Sequence, residues 1–270
     1  MGYPKFRGRI FFCLTAIGLL LPTILFGQEK ALRIMSYNIR HGEGLDNMID
    51  LDRIASIIDK QKVDFCALQE VDKLCKRSGS VDQTAYLAST CSLNGFFGSF
   101  MEFNSGQYGM ANLSADTASS SLALRLPDGL REARVAIIQE FEIPEFGSIL
   151  FVNVHFDWIS GLEGTKSRLA QAKVLMQYLN TSDAAVIITG DFNCTPDSPT
   201  MQFFKENGFV FAKKGPDRMS FQGDKEAEID HLILRRSAVL SIDLEQIRLL
   251  KEPLASDHRP LIAELRIGTN

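Results

Sequence analysis

A chain of 270 residues, 45% of them hydrophobic, can bury a sizeable core, and no low-complexity run or linker divides it. Its formal charge of −4 lacks the basic excess of a strong non-specific nucleic-acid binder, although a local basic patch stays compatible with a negative total. There is no His-Glu-x-x-His, no Gly-x-Ser-x-Gly and no Walker loop, so zinc proteolysis, serine-esterase chemistry and P-loop nucleotide hydrolysis all lack their parts.

Residues 1–27 stand apart from the rest. Lys5, Arg7 and Arg9 precede an apolar run over residues 10–26, the layout of a secretory signal peptide. Cleavage between Gly27 and Gln28 would remove three basic and no acidic residues, moving the charge from −4 to −7 and leaving residues 28–270 as one domain. Export to the periplasm or beyond is therefore expected, or membrane anchoring if the segment is retained. Of the four cysteines that remain, Cys66 falls in an apolar run as a buried thiol, and an oxidising compartment leaves a Cys75–Cys91 disulfide open.

Residues 31–40 read as a strand running into Gly42 and Gly44, with Asn38 near its end. Leu51, Ile54, Ala55 and Ile58 share one helical face, which predicts an amphipathic helix over residues 50–61. The apolar run 63–68 closes a β-α-β unit and delivers Glu70 to a strand exit. An ionised carboxylate there is costly without a cation or donors around it. Residues 73–83 form a polar loop in which Lys76-Arg77-Ser78-Gly79 has the make-up of an anion loop or of an ordinary solvated one. Two short strands about a Gly-rich turn at residues 106–109 are expected over residues 95–114, and residues 116–121 read as turn material. Paired strands follow over residues 132–142 and 148–157, the second ending with Asn153, His155 and Asp157 on one face.

A helix over residues 165–180 leads into the β-branched run Val186-Ile187-Ile188-Thr189, which ends in Gly190-Asp191-Phe192-Asn193. By alternation Asp191 and Asn193 point one way and Phe192 points into the core, placing a carboxylate beside an amide at the mouth of a buried strand. Such a pair suits a reaction in which one group deprotonates a water and the other holds it in line. A short helix over residues 201–207, strands over 227–234 and 237–250, and the polar loop Ser256-Asp257-His258-Arg259-Pro260 entering the last strand complete the chain. With about ten strands and few long helices in mixed order, two packed sheets with helices outside fit better than one open parallel sheet.

Asn38, Glu70, His155, Asp191, Asn193, Asp230, Asp257 and His258 thus gather at strand ends or in tight loops. Acidic and amide oxygens with little sulfur suit a hard cation, Mg²⁺ or Mn²⁺, rather than zinc. Three of the four histidines adjoin acidic residues at these strand ends, and two imidazoles beside a metal are well placed to stabilise a phosphorane and its leaving oxygen.

Ser36-Tyr37-Asn38, Leu68-Gln69-Glu70, Val154-His155, Gly190-Asp191-Phe192-Asn193, Ile229-Asp230-His231 and Ser256-Asp257-His258-Arg259-Pro260 occur in the order and approximate spacing of the endonuclease/exonuclease/phosphatase superfamily, which the chain resembles over residues 32–265. The resemblance implies an α/β, four-layer sandwich: two central mixed β-sheets packed face to face, helices on the outside, and an active site at the edge where strand ends meet. It implies Glu70 as the principal metal ligand with Asn38 and Asp257 nearby as ligands or supports, and Mg²⁺ or Mn²⁺ as the cofactor. Asp191 resembles the base that activates or orients water, and Asn193 the amide that holds that water or a phosphate oxygen. His155 and His258 would bind the scissile phosphate, with Asp230 fixing the tautomer of His258.

The implied reaction is in-line attack of water on a phosphodiester or phosphomonoester, whether a small molecule, a lipid head group or a nucleic acid. Arg40 and Arg134 are further candidates for phosphate contact. Arg40 occupies a position where the exonuclease-III-like branch commonly carries an acidic residue, which turns the reading away from that branch. The long aromatic hairpin of secreted sphingomyelinases has no counterpart, peripheral membrane contact stays open, and no stable protein partner is implied. A secreted nuclease of the deoxyribonuclease-I-like branch and a non-catalytic module that binds a phosphorylated ligand are the alternatives. Specificity would lie in residues 74–84, 101–110, 158–165 and 213–226.

Overall fold

The computed structural model describes residues 1–2, 29–144 and 146–269; the expected signal peptide lies outside the described residues except for its first two positions. In chain order the elements are β1 (Lys30–Asn38), α1 (Leu51–Gln61), β2 (Phe65–Lys73), α2 (Gln83–Cys91), β3 (Asn94–Phe103), β4 (Gly106–Ser114), β5 (Ser120–Arg125) and β6 (Val135–Ile143). They continue as β7 (Gly147–His155), α3 (Gly161–Leu179), β8 (Ala185–Asp191), α4 (Pro199–Glu206), β9 (Val210–Phe211), β10 (Asp230–Arg235), β11 (Leu240–Leu249) and β12 (Leu261–Thr269). The strands form two six-stranded sheets, ordered β11-β12-β1-β2-β4-β3 and β5-β6-β7-β8-β10-β9. Both are mixed: β1 runs parallel to β2 and β7 parallel to β8, while their other neighbours pair antiparallel.

Alternation gives each central strand two apolar faces, so the sheets are covered on both sides. Leu32 and Ile34 of β1, Phe65 and Ala67 of β2, Phe151 of β7 and Ile187 of β8 meet in one layer between the sheets. Phe65 packs its ring against Phe141 and Phe151 there, with centroids 4.6 and 5.0 Å apart. The opposite face of the first sheet, Met35, Tyr37, Cys66 and Leu68, packs on α1 and α2 through residues such as Ile54, Ile58 and Leu87. The opposite face of the second, Val152, Val154, Val186 and Ile188, packs on α3 and α4 through Leu175, Leu179 and Phe204. Helix, sheet, sheet, helix is the four-layer α/β sandwich the resemblance implies.

Local chemistry sets the helix starts. Asp50, Asp82 and Ser198 each accept a hydrogen bond from a first-turn amide at Arg53, Ala85 and Met201, satisfying a donor that has no partner within the helix. Helix α2 begins where the expected polar loop of residues 73–83 ends, in residues assigned no element; its buried face joins Gln83 and Thr84 to Leu87, Ala88 and Cys91, and its Asp82 cap marks its start. The tip between β3 and β4 is Asn104-Ser105, both with positive φ, and not the Gly-rich residues 106–109. Gly109 instead lies within β4, where a Cβ would meet the Gly98 carbonyl oxygen at 2.1 Å. Strand β5, which begins within the residues 116–121 expected as turn, is a largely exposed edge strand. The possible Cys75–Cys91 disulfide does not form: all four described cysteines are free and buried, Cys75 Sγ donating to the Phe103 carbonyl and Cys91 Sγ to that of Ala55. Among the described residues no helix is long and apolar enough to cross a membrane.

The sheets are also clasped by polar groups. Asn153 of β7 donates to the carbonyls of Leu68 and Ala111 in the facing sheet, both at 3.0 Å, and accepts from Gln69 Nε2 at 2.8 Å. All of this is buried, so each bond broken without replacement strands a desolvated group. Asn153→Ala is expected to lower stability by about 3 kcal/mol, read as a fall in the urea midpoint at unchanged slope; a midpoint within error of wild type would mean that the clasp carries no net stability.

Candidate active site

Along the layer between the sheets, side-chain character changes with position. On β1 the inward residues run Leu32, Ile34, Ser36, Asn38; on β7 they run Ile149, Phe151, Asn153, His155; on β8 they run Ala185, Ile187, Thr189, Asp191. Hydrophobic residues give way to hydroxyls and amides, and on β7 and β8 these give way to ionisable groups, at the C-terminal ends of the parallel strands. A cleft of about 500 Å³ opens at that edge. Glu70, Arg134, His155, Asp191, Asn193, Asp257 and His258 line it.

Backbone irregularities aim two of these groups. The β2–β4 register slips between Gln69 and Val71, and Glu70 in the resulting bulge has φ +56°, a left-handed value unusual for a residue with a side chain. Strict alternation would turn Glu70 toward the helices; the extra residue turns it into the cleft, while β2 continues to Lys73 rather than ending at Glu70. At Gly190, φ is +147° and a Cβ would lie 2.0 Å from the Val154 carbonyl oxygen, so the backbone of β8 reaches β7 this closely only with glycine before Asp191.

Asp191 sits at the centre. Its Oδ2 takes a hydrogen bond from Asn38 Nδ2 at 3.2 Å and lies 3.6 Å from Nε2 of both His155 and His258. Burial pushes the Asp191 carboxyl up to about 7, with Asp230 adding to the rise and His258 opposing it. The two histidines carry opposite charge states. Burial, Arg134 and His258 together hold His155 well below its ordinary range, so it is neutral. Burial also opposes charge on His258, but the carboxylates of Asp230 and Asp191 outweigh it and raise the imidazole to about 10. The hydrogen bond between His258 Nδ1 and Asp230 Oδ2 is 2.8 Å, and it holds Asp230 low despite its burial.

The remaining groups divide between the cleft and its supports. Asn38 is fully buried behind Glu70, donating to Glu70 Oε1 at 3.0 Å and accepting from the Arg40 amide. Asn193 takes a positive φ of +50°; its Nδ2 donates to the Phe156 carbonyl and its amide to Asp191 Oδ1. Arg40, a candidate phosphate contact, does not line the cleft; it pairs with Glu43 at 3.2 Å and with Asp257 at 3.8 Å. Arg134 does line it, 1% exposed and over the Phe100 ring. Asp157 does not continue the face of Asn153 and His155 into the cleft, because β7 ends at His155; its carboxylate instead accepts from the amides of Leu130 and Ile159. His231 points away, bonded to the Cys194 carbonyl, and burial beside Lys214 pushes it down to about 3.

The cleft walls contain residues that no strand-end pattern marks: Arg77, Met101, Phe103, Tyr108, Trp158 and Phe221. Each comes from one of the four segments in which specificity was expected, although no spacing singled out the individual side chains.

A groove of buried carboxylates, imidazoles and guanidinium at the edge of two facing mixed sheets defines the phosphoesterase and nuclease class of sandwich. The model of the Endonuclease/Exonuclease/phosphatase family matches residues 35–258, and the chain belongs to that family. Its members are generally hydrolases of phosphate esters and usually use a divalent metal. Solved structures share the fold at low identity. An endonuclease/exonuclease/phosphatase from Beutenbergia cavernae superposes with a TM-score of 0.76 at 19% identity, over 88% of this chain and 72% of that one. One from Bacteroides vulgatus gives 0.70 at 20%, over 87% and 98%. The human Nocturnin catalytic domain with bound sulfate gives 0.67 at 19%, over 90% and 98%. A search of curated proteins returned no match.

The charge state of His258 is open to measurement. A raised folded-state value means that the ring stays protonated from its ordinary range near 6.5 up to about 10, so its contribution to stability is complete below the former and lost through the latter. Asp230→Asn removes the largest favourable partner, and its imidazole should titrate at least about 2 units lower by NMR; an unmoved titration would show that Asp230 does not hold the proton.

Proposed function

We propose that the chain is an exported, divalent-metal-dependent phosphoesterase that hydrolyses a phosphodiester or phosphomonoester by in-line attack of water. The observation that supports this best is the set of groups around Asp191 Oδ2, with Asn38 at 3.2 Å and two imidazoles at 3.6 Å, on the floor of a cleft that Glu70 and Asp257 also face. A carboxyl held near neutrality is suited to take the proton from a water as it attacks phosphorus. Asn193, whose side-chain oxygen has no partner among the described residues, lies beside it to orient that water. As the new P–O bond forms and the opposite one breaks, charge gathers on the phosphoryl and leaving oxygens. His258 meets it as an imidazolium backed by Asp230, and His155 as a neutral N–H donor.

The donor set fits a hard cation at Glu70 and Asp257. Burial raises the Glu70 carboxyl and Asp257 adds to the rise, only partly offset by Asn38, His258 and Arg134, so a divalent ion would relieve the pair, with Asn38 steadying Glu70 from behind. Asp191, Asp230 and His258 also bring ligand-type atoms within 4.8 Å of one another. Both nitrogens of that imidazole face carboxylates that keep it protonated, so this trio suits proton handling better than metal binding. When bound, the cation would neutralise charge on the phosphoryl group.

Purified protein should hydrolyse at least one of bis-p-nitrophenyl phosphate, plasmid DNA, sphingomyelin or an inositol phosphate in Mg²⁺ or Mn²⁺, and EDTA should abolish the activity. Glu70→Ala should cost about 100-fold or more in turnover with an unchanged circular dichroism spectrum. Intact substrates in all four classes at high enzyme concentration would sink the catalytic reading and leave a binding module. The exported product is expected to begin at Gln28 by N-terminal sequencing, whereas a membrane-bound product retaining residues 1–27 would make that segment an anchor.

A further inference from the structure

One wall of the cleft carries an alternating row of cations and rings. Arg77 lies over Phe103 at 4.6 Å and over Tyr108 at 5.1 Å; Tyr108 meets Phe100 edge-on at 5.5 Å; Arg134 lies over Phe100 at 4.9 Å. Phe100 in turn stands 6.0 Å from the ring of His155, so the row leads from the rim to the floor. Arg77 is held rigidly: its Nε and Nη2 each donate at 2.8 Å to the fully buried carboxylate of Asp72, which Ser78 Oγ also contacts at 2.8 Å. That leaves Nη1 without a partner among the described residues. Arg134 is 1% exposed, yet among the described residues its Nε has no hydrogen-bond partner and its Nη1 has only the Glu132 carboxylate, 2.8 Å away and out of hydrogen-bond alignment. The buried donors of Arg134 are costly without acceptors, the Nη1 of half-exposed Arg77 is open at the rim, and an arriving anion would satisfy both.

We propose that Arg77 and Arg134, spaced by Tyr108 and Phe100, form a preassembled second anion subsite, and that the substrate is a small phosphate ester bearing another anionic group beside the scissile phosphate. The proposal rests on the phosphoesterase reading for the scissile group itself. Fixing Arg77 in advance on Asp72 and two rings lowers the ordering cost that a free arginine would bring to binding. Two fixed cations in a cleft of about 500 Å³ that also holds Glu132 suit a compact dianionic ligand. A polyphosphate chain needs a longer basic track than Arg77 and Arg134 provide along this wall.

The test measures binding of the 1,2-ethanediyl, 1,3-propanediyl and 1,4-butanediyl bisphosphates against ethyl, propyl and butyl phosphate by calorimetry at fixed free Mg²⁺. At least one bisphosphate should bind wild type tenfold or more tighter than its monophosphate parent. Because Arg77→Met alone would strand the buried Asp72 carboxylate, the variant is Asp72→Asn/Arg77→Met, and there that ratio should collapse toward one. Equal affinity for every pair in wild type, or a ratio that survives in the folded double variant, overturns the proposal. Hexathymidylate binding wild type more tightly than every bisphosphate would assign the row to nucleic acid and overturn the small-ester source. Turnover of bis-p-nitrophenyl phosphate by wild type in the same buffer scores the hydrolase reading separately.

Discussion

Two sheets packed face to face must fill the layer between them, and the way this chain fills it governs everything else. Phenylalanines and isoleucines occupy the interior, but one turn of alternation before the strands end the layer switches to amides, Gln69 and Asn153, that bond across it. A buried amide tolerates little error, because each unpaired donor or acceptor costs as much as the bond it loses. The clasp therefore holds the register of one sheet against the other. Glu70 is the next residue after Gln69 and His155 lies two beyond Asn153, so the same clasp sets where a carboxylate and an imidazole from opposite sheets meet.

Beyond the clasp the layer opens, and charge is concentrated where water is partly excluded. Desolvation raises Asp191 and Glu70 and lowers His155, each away from its charged form, whereas His258 is held in its charged form because two carboxylates face it. Two chemically identical side chains at equal 3.6 Å distances from one oxygen thus differ in charge because of what stands behind them, Arg134 behind His155 and Asp230 behind His258. In the proposed reaction that asymmetry separates a neutral donor from a charged one without any difference in reach.

The alternation of apolar residues carried the central strands, α1 and α3, and with them the two-sheet arrangement, since periodicity reports which face of an element is buried. The floor of the cleft was legible for the same reason: Asn38, His155 and Asp191 end buried strands, where a polar residue conflicts with its surroundings. Glu70 was found by that conflict while its geometry was not, because a bulge breaks the alternation from which orientation is inferred. Arg77 and Tyr108 were out of reach because their position depends on how a loop and a hairpin fold over the sheet edge. Strand β5 escaped because little of it is buried, and helix α2 because its buried positions include the polar Gln83 and Thr84, so apolar pattern had little to report.

This division between floor and walls has a physical consequence for specificity. Floor residues are fixed by strands that also carry the core, so changing one disturbs the layer between the sheets. Wall residues such as Arg77 depend on a local anchor, here Asp72 at the end of β2, and their exchange leaves the clasp untouched. A cation held between two rings and a buried carboxylate needs no reorganisation to meet a ligand, which makes it an instrument of selection rather than of rate. The chemistry available to the fold and the ligand chosen by it are in this way set by different parts of one sheet edge, the first by register and the second by what a single loop lays against Tyr108.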